Sequence, residues 1–396
     1  MPVSEPESTR ERIARYRKLR GYTQEGLASR AQISKSLAGK IESGERSPSP
    51  AVIASLARAL SVSVVDLVGQ PYLQDLQADQ LDALIHPIRE ALDVYDLGAD
   101  PDISPRSLAD LSAEATRMCA LIRATDLRTV ATELPGLIQE MTTAVNVAPC
   151  DRAWAELASL YRTAYDVATK LGYSDLSAIA LDRMDWAAQR GSDPVMAGIR
   201  QYLRALAYLR SGEYRTGRRL VEVGQATVAQ ADPGRVRDVV TGQLYLGAAV
   251  LAARSKDKDG AEAFLDEAQR LSAVTGEAAQ VHWLSFGPFN VAAHRVSALV
   301  DQDEYAKALE IAKSAPMPVG WPASRAAHHR AEIARALLWT GHPDEAVARL
   351  KLVRNSAPQQ GKYSPQVRQT ITDLLASRRT VSEDLAHLAS WVGITR

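Results

Sequence analysis

The chain has few cysteines and no long apolar run. Its 396 residues include two cysteines, Cys119 and Cys150, without the CxxC spacing of a zinc site or a disulfide framework. No stretch approaches the roughly 18 apolar residues that cross a bilayer, and the polar N-terminus lacks the apolar centre of a secretory signal. These absences argue against membrane, zinc-stabilised and secreted disulfide-rich proteins, and they predict a cytoplasmic location.

Catalytic and metal-binding motifs are also missing. The chain contains no GxxxxGK[ST], HExxH or GxSxG segment. His328 and His329 are adjacent, so they point in different directions on a helix and make a poor metal pair. His282 and His294 are too far apart in register for a zinc site. We therefore expect no enzyme activity, no metal and no cofactor.

The composition is that of a globular protein with more than one domain. Hydrophobic residues make up 46% of the chain and charged residues 24%, and 396 residues are too many for one ordinary core. The net charge is zero, but residues 10–46 hold ten Lys or Arg against four Asp or Glu. A basic module on a near-neutral body confines the attraction for phosphate to one end of the protein.

Capping signals predict five short helices between residues 8 and 70, after a disordered segment over residues 1–7. Ser or Thr before an apolar period starts a helix, and glycine just after it ends one. The signals are Gly21, Thr23, Ser34, Ser49–Pro50, Ser63 with Asp66, and Gly69.

The ordered set of residues in this module closely resembles the lambda-repressor-like, or Xre-type, helix-turn-helix family. The match covers about 60 residues, and the resemblance implies that the third helix lies in the DNA major groove and that a dimer reads two half-sites. The matching residues are Arg17, Gly21, Thr23–Gln24, Leu27–Ala28, Ile33–Ser34, Ile41–Glu42, Gly44, Pro48, Leu56–Ala57, Ala59–Leu60 and Leu67.

The resemblance also assigns roles by position. Lys35, Ser36 and Lys40 occupy the base-facing positions of the third helix, where Lys suits guanine O6 and N7. Arg17 and Glu42 match a structural ion pair that ties the first helix to the third. The other expected DNA-binding residues are Gln24, Ser34, Ser43 and Arg46. Gln24 begins the second helix, where backbone N–H groups favour a phosphate.

Two glycines depart from the family pattern, and the two lysines have a second interpretation. Gly26 and Gly39 lie inside helices, where each costs about 1 kcal/mol relative to Ala. Gly39 also removes one side chain from the recognition helix, so we expect modest specificity from one copy. The alternative for Lys35 and Lys40 is an ordinary solvated surface charge.

Beyond residue 70 the pattern is helical throughout. Residues 71–103 predict one connecting amphipathic helix, kinked at Pro87. Residues 104–396 resemble tetratricopeptide repeats, so we predict an all-α fold: a five-helix lambda-repressor-like domain and a tetratricopeptide-like α-solenoid. Another all-helical array is the alternative. Turn signals recur at a spacing of roughly 38 to 45 residues, at 211–214, 255–260, 301–305 and 340–346.

One aromatic segment within the array predicts an effector pocket. Residues 281–294 hold two of the three phenylalanines, and Asn290 and His294 lie on one helix face. An Asn facing a groove can pair with a peptide backbone. The alternatives are that the aromatic residues are core and that the basic cluster near Trp321 is a solvated face. The candidates are His282, Trp283, Phe286, Phe289, Asn290, His294, Trp321 and Arg325.

An Xre-type domain joined to a repeat body resembles the peptide-responsive regulators. The resemblance implies a dimeric transcriptional regulator that binds a double-stranded DNA operator and whose repeat domain binds a signalling peptide or small-molecule effector. One alternative is a ligand-free regulator whose repeats bind a partner protein. Another is an adaptor that retains the helix-turn-helix as a docking module.

Overall fold

The computed structural model describes residues 7–378 and 380–394. The predicted disordered segment 1–7 lies outside these residues except for its last position. Within the described residues the secondary structure is helical without strands, apart from one isolated bridge between Ala278 and Phe286. The all-α prediction is therefore confirmed. No helix in the described ranges is long and apolar enough to cross a membrane.

Five short helices form the N-terminal module. Ser34 and Thr23 accept hydrogen bonds from backbone N–H groups of the helices that follow them, and Ser63 forms a reciprocal capping box with Asp66. Their buried faces share a core around Leu27, Ile41 and Leu60. The helices are α1 (Thr9–Leu19), α2 (Gln24–Ala31), α3 (Lys35–Ser43), α4 (Pro50–Leu60) and α5 (Val64–Val68).

The segment that follows differs from the single helix expected over 71–103. It contains α6 (Leu73–Ala78), a 3₁₀ turn (Asp82–Leu84) and α7 (Ile85–Asp93). Gln80 is left-handed with a φ of 56°, and this break changes the helical phase so that α6 buries Leu76 and α7 buries Leu92. Pro87 lies in the first turn of α7, where a missing N–H is tolerated, so it does not kink a longer helix.

The rest of the chain is an array of helix hairpins. Helices α8 (Leu108–Ala124) and α9 (Leu127–Val147) precede five closely packed pairs. The pairs are α10 (Asp151–Leu171) with α11 (Ser174–Arg190), α12 (Pro194–Ser211) with α13 (Tyr214–Val228), α14 (Arg235–Arg254) with α15 (Lys258–Thr275), α16 (Pro288–Asp301) with α17 (Tyr305–Ser314), and α18 (Ala323–Trp339) with α19 (Pro343–Ser356). The array ends with α20 (Pro358–Lys362), α21 (Pro365–Ala376) and α22 (Glu383–Trp391).

A small buried residue recurs as the fourth residue of the second helix in each of these five pairs. At Gly217 an added Cβ would lie 2.6 Å from the Leu251 side chain, so the neighbouring helix leaves no room for a larger residue. The repeated position therefore lets adjacent helices approach closely. The residues are Ser177, Gly217, Ala261, Ala308 and Ala346.

The chain between α15 and α16 is a loop. It contains a 3₁₀ turn (Val281–Trp283), and His282, Trp283 and Ser285 have positive φ. The backbone N–H of Ala278 donates to the carbonyl of Phe286 at 2.8 Å. This fold of the loop inserts the Phe286 ring into the core, where it contacts Gly242 on α14.

The end of the array returns to its beginning. Helix α18 packs against α8, and the chain around α20 reaches the segment that contains α6. Lys362 lies 2.7 Å from Asp79, whose carboxylate also accepts a hydrogen bond from Tyr363. Arg368 pairs with Asp75 at 2.9 Å. The helical array is therefore closed on itself by contacts between residues almost 300 positions apart.

The N-terminal module rests on the ends of two array helices. Gly212 ends α12, and its carbonyl accepts a hydrogen bond of 2.6 Å from Arg58 on α4. Gly172 ends α10, and an added Cβ there would lie 2.9 Å from the Cβ of Gln70. Both glycines are left-handed, so they close their helices and also leave space for the module.

The contact between Phe286 and Gly242 leads to a stability prediction. Gly242→Ala should destabilise the protein by about 1–3 kcal/mol, because the added methyl group overlaps a fully buried ring. The measurement is urea-induced unfolding of both proteins. Gly136→Ala is the matched control, since Gly136 is an exposed helical position with open space around its Cβ. The control should gain up to about 1 kcal/mol from helix propensity. Equal effects at the two positions would contradict the packing argument.

Candidate DNA-binding surface and interior cleft

Helix α3 presents its polar face to solvent. Ala38 and Ile41 are buried in the module, and the side chains of Lys35, Ser36 and Lys40 are exposed. The described contact between the helices of the module and the array is made by α4, which packs against α12. The residues predicted to face DNA bases are therefore accessible while the module is seated on the array.

The remaining predicted DNA-binding residues surround this helix. Gln24, Ser43 and Arg46 are exposed, and so is Ser34, whose hydroxyl caps α3 by accepting from Leu37. Gln24 donates through Nε2 to the Glu42 carboxylate at 3.0 Å. The structure thus places all seven predicted residues on one end of the module.

The two lysines predicted to face DNA bases each lie beside a carboxylate. Lys35 lies 2.8 Å from Glu25, and Lys40 lies 3.5 Å from Glu45. All four side chains are well exposed, so the pairs contribute little to stability. Phosphates or base edges can therefore replace these partners at small cost.

Arg17 and Glu42 form a bidentate pair between α1 and α3. Arg17 Nε and Nη2 donate to the two Glu42 oxygens at 2.6 and 2.9 Å, and Nη1 donates to the Tyr22 carbonyl. Burial alone would raise the pKa of Glu42, but hydrogen bonds from Arg17 and Gln24 lower it below its usual value. The pair therefore ties α1 to α3 within the module.

A cleft with a volume of 2540 Å³ occupies the inside of the closed array and extends to α4. Its walls come mainly from the first helix of each pair. Of the eight predicted effector residues, His294, Trp321 and Arg325 line it. Burial and the Arg325 charge lower the pKa of His294 to about 3, so this imidazole is neutral at pH 7.

The other five effector candidates do not line the cleft, so the two phenylalanines expected in the effector pocket do not form its wall. Phe286 is in the core. Phe289 is buried, and its ring lies edge-on to the Trp321 ring with 4.6 Å between the ring centroids. His282 and Trp283 lie in the 281–283 turn, and neither side chain lines the cleft.

Asn290 is fully buried and does not offer its amide to the cleft. Its Oδ1 accepts a hydrogen bond of 2.7 Å from Arg325, and its Nδ2 donates to Gln243 at 3.3 Å. Gln243 in turn donates to the Tyr202 hydroxyl at 2.8 Å. Because its polar atoms already have protein partners, Asn290 positions Arg325 rather than binding a peptide directly.

Sequence reasoning missed four charged residues on the wall of the cleft. They are Arg123 on α8 and Arg162, Asp166 and Lys170 on α10. The spacing could have predicted three of them. Residues 162, 166 and 170 recur every four positions, so they lie on one face of a helix that buries most of its other residues.

The bidentate pair predicts an acid-sensitive stability. Arg17→Ala should lower the free energy of unfolding by about 3 kcal/mol at pH 7, because the Glu42 carboxylate is left mostly buried without its partner. Since the folded-state pKa of Glu42 is lowered, its stabilising effect is present above pH 4.5 and is lost as the pH falls below that value. Unfolding at pH 7 and pH 3.5 should show the difference between the proteins shrinking in acid. Lys18→Ala, an exposed neighbour on α1, should change little. A difference that grows in acid would refute this account.

The comparisons with known proteins concern the N-terminal module. The family described as helix-turn-helix matches residues 13–67. An uncharacterised helix-turn-helix-type transcriptional regulator, YazB of Bacillus subtilis (strain 168), is 50% identical over 56 residues. That alignment covers 14% of this chain and 81% of the Bacillus protein. No solved structure matches the chain.

The residues that match the family, 13–67, contain α3 and the bidentate pair described above. The identity of 50% extends over most of the length of the Bacillus protein. Through its residues 13–67, the chain belongs to the helix-turn-helix family.

Proposed function

We propose that this helix-turn-helix protein is a DNA-binding transcriptional regulator that binds its operator as a homodimer and is controlled by an effector in the interior cleft. One observation carries the proposal: the same cleft is bounded by α4 of the DNA-binding module and by the inner helices of the array. An occupant that contacts α10 or α12 therefore acts on helices whose ends support the module.

The proposed effector domain is a tetratricopeptide-like array. Its support is the small residue repeated in five consecutive helix pairs and the turns that join the two helices of each pair. Arrays of this kind present a continuous inner surface to a ligand. Fold likeness alone does not identify the ligand, so the identity of the effector has to come from the chemistry of the cleft.

An occupant of the cleft would change DNA binding through the ends of α10 and α12, which contact the module. Arg58 is hydrogen bonded to the last turn of α12, and Gln70 donates to the Tyr363 carbonyl at 2.8 Å. An effector that binds better to one curvature of the array would shift these ends and move the module. In a dimer, that movement changes the distance between the two recognition helices and so the fit to two half-sites.

DNA binding is tested first with recognition-helix variants. Lys40→Ala should lower the affinity for the preferred operator by about 1–3 kcal/mol and relax specificity, because a base contact is removed. Arg46→Ala should weaken binding to all sequences and lower the slope of log affinity against log salt by about one. The measurement is fluorescence anisotropy across salt concentrations, with Lys307→Ala, an exposed lysine on α17, as the control.

Full DNA affinity in both module variants would refute DNA binding through α3 and the loop after it, and the absence of DNA binding by the unmodified protein would favour the adaptor alternative. Sedimentation of the protein with an operator duplex gives the stoichiometry in the same samples. Two chains per operator support the dimer, and one chain per operator rules it out.

Effector control is tested with the contact between the module and the array. A ligand found by thermal shift, at 100 times its dissociation constant, should stabilise the protein by about 2.7 kcal/mol and change operator affinity. Arg58→Ala should reduce the effect of the ligand on operator affinity by a larger factor than it changes the Kd of the ligand, because it removes the hydrogen bond that joins the module to α12. Arg30→Ala, on the far side of the module, is the control for a changed charge. A ligand that stabilises the protein but leaves operator affinity unchanged would contradict effector control.

A further inference from the structure

Four cationic side chains and one carboxylate line the cleft and act on one another electrostatically. Arg123, Arg162, Lys170 and Arg325 all line its wall together with Asp166. Lys170 lies 3.8 Å from Asp166, one turn away on α10. These five groups therefore carry an excess of three positive charges in one enclosed region.

The three arginines have no carboxylate partner among the described residues. Arg123 donates to the Ser285 hydroxyl at 3.4 Å, Arg162 to the His282 carbonyl, and Arg325 to Asn290. Each of these partners is neutral. An enclosed guanidinium normally pairs with an anion, because its hydration is lost and neutral acceptors compensate only in part.

The like charges disfavour one another. Burial, together with the charges of Arg162 and Arg325, lowers the pKa of Arg123 to about 10. Burial and the same arginines also lower the pKa of Lys170, against the raising effect of Asp166. A bound anion would relieve this repulsion, so the charges of the cleft wall favour anion binding.

An aromatic wall lies beside the cations. Trp321 precedes Arg325 by four residues and packs edge-on against Phe289 and His329. The indole N–H of Trp321 is buried and has no hydrogen-bond partner among the described residues. A buried donor without a partner beside an accessible cleft is a second indication that a ligand with acceptor atoms belongs there.

We propose that the cleft binds a small phosphorylated molecule, with the phosphate among Arg123, Arg162, Lys170 and Arg325 and an apolar or aromatic body against Trp321. The inference rests on the proposed function in taking this molecule as the effector. A phosphate carries close to two negative charges and three acceptor oxygens, so it matches three guanidinium groups and most of the excess charge. A single carboxylate would leave an excess of two.

The test is isothermal titration of the full chain with phenyl phosphate, inorganic phosphate and benzoate at one ionic strength. Phenyl phosphate should bind at least about tenfold more tightly than benzoate, because it forms more charged hydrogen bonds. It should also bind more tightly than inorganic phosphate, because its ring contacts Trp321. Benzoate binding equally well would overturn the assignment to phosphate, and so would the absence of binding by either phosphate probe.

Variants separate a ligand-binding role from a structural one. Arg123→Gln and Arg162→Gln should each raise the Kd of phenyl phosphate by about tenfold or more. Arg123→Gln should also raise the Tm of the unliganded protein, because it removes a repelling charge. Arg295→Gln is the matched control, since Arg295 on α16 pairs with Glu262 and Asp266 away from the cleft walls. A lower unliganded Tm with unchanged Kd in Arg123→Gln would show that the arginine is structural and would overturn the site.

Operator binding in the same samples distinguishes the two proposals. Phenyl phosphate that binds and depends on Arg123, but leaves operator affinity unchanged, would retain the anion site and refute effector control by it. An effector of other chemistry that changes operator affinity, with no binding of phenyl phosphate, would refute the anion site and retain the proposed function.

Discussion

The closure of the helical array on itself is the constraint on which the other features depend. Asp75 and Asp79 hold Arg368 and Lys362 at one seam, and Gln359 caps α9 by accepting from the backbone N–H of Leu127 at 2.8 Å. An open array of hairpins would expose its inner helices to water. Closure instead surrounds the inner face, and this enclosure is what makes charged groups such as Arg123 costly to keep without an anion.

The seam also adjoins the DNA-binding module, which links the two ends of the proposed mechanism. Gln70 follows α5 directly and is hydrogen bonded to the carbonyl of Tyr363, whose hydroxyl contacts Asp79. Burial and this carboxylate raise the pKa of Tyr363, so its hydroxyl stays protonated and donates. The chain that leaves the module is therefore fastened to the end of the array before it enters α6, and a change in curvature reaches the module through few contacts.

Short-range interactions such as helix caps could be predicted from the sequence, and long-range packing could not. Caps such as Ser34 and Ser63 act on the next three residues, so the five short helices and the hairpin turns followed from the residues themselves. The break at Gln80 and the loop that carries Phe286 depend on where a distant core lies. Asn290 is the clearest example of what the sequence does not predict. Its helix face was predicted, but whether that face contacts the cleft or Gln243 depends on how α14 packs. The cationic cluster was missed because Arg123 and Arg325 are brought together only by closure.

The seam has a further consequence for the order in which the protein folds. Contacts within the DNA-binding module and within each hairpin join residues that are near in sequence, and such contacts form early. The bond between Arg368 and Asp75 joins residues 293 positions apart. Its loop-closure entropy is recovered only after the intervening pairs have stacked and brought the ends together. We therefore expect the DNA-binding module to fold before the ring that positions it, and the proposed effector control requires that completed ring.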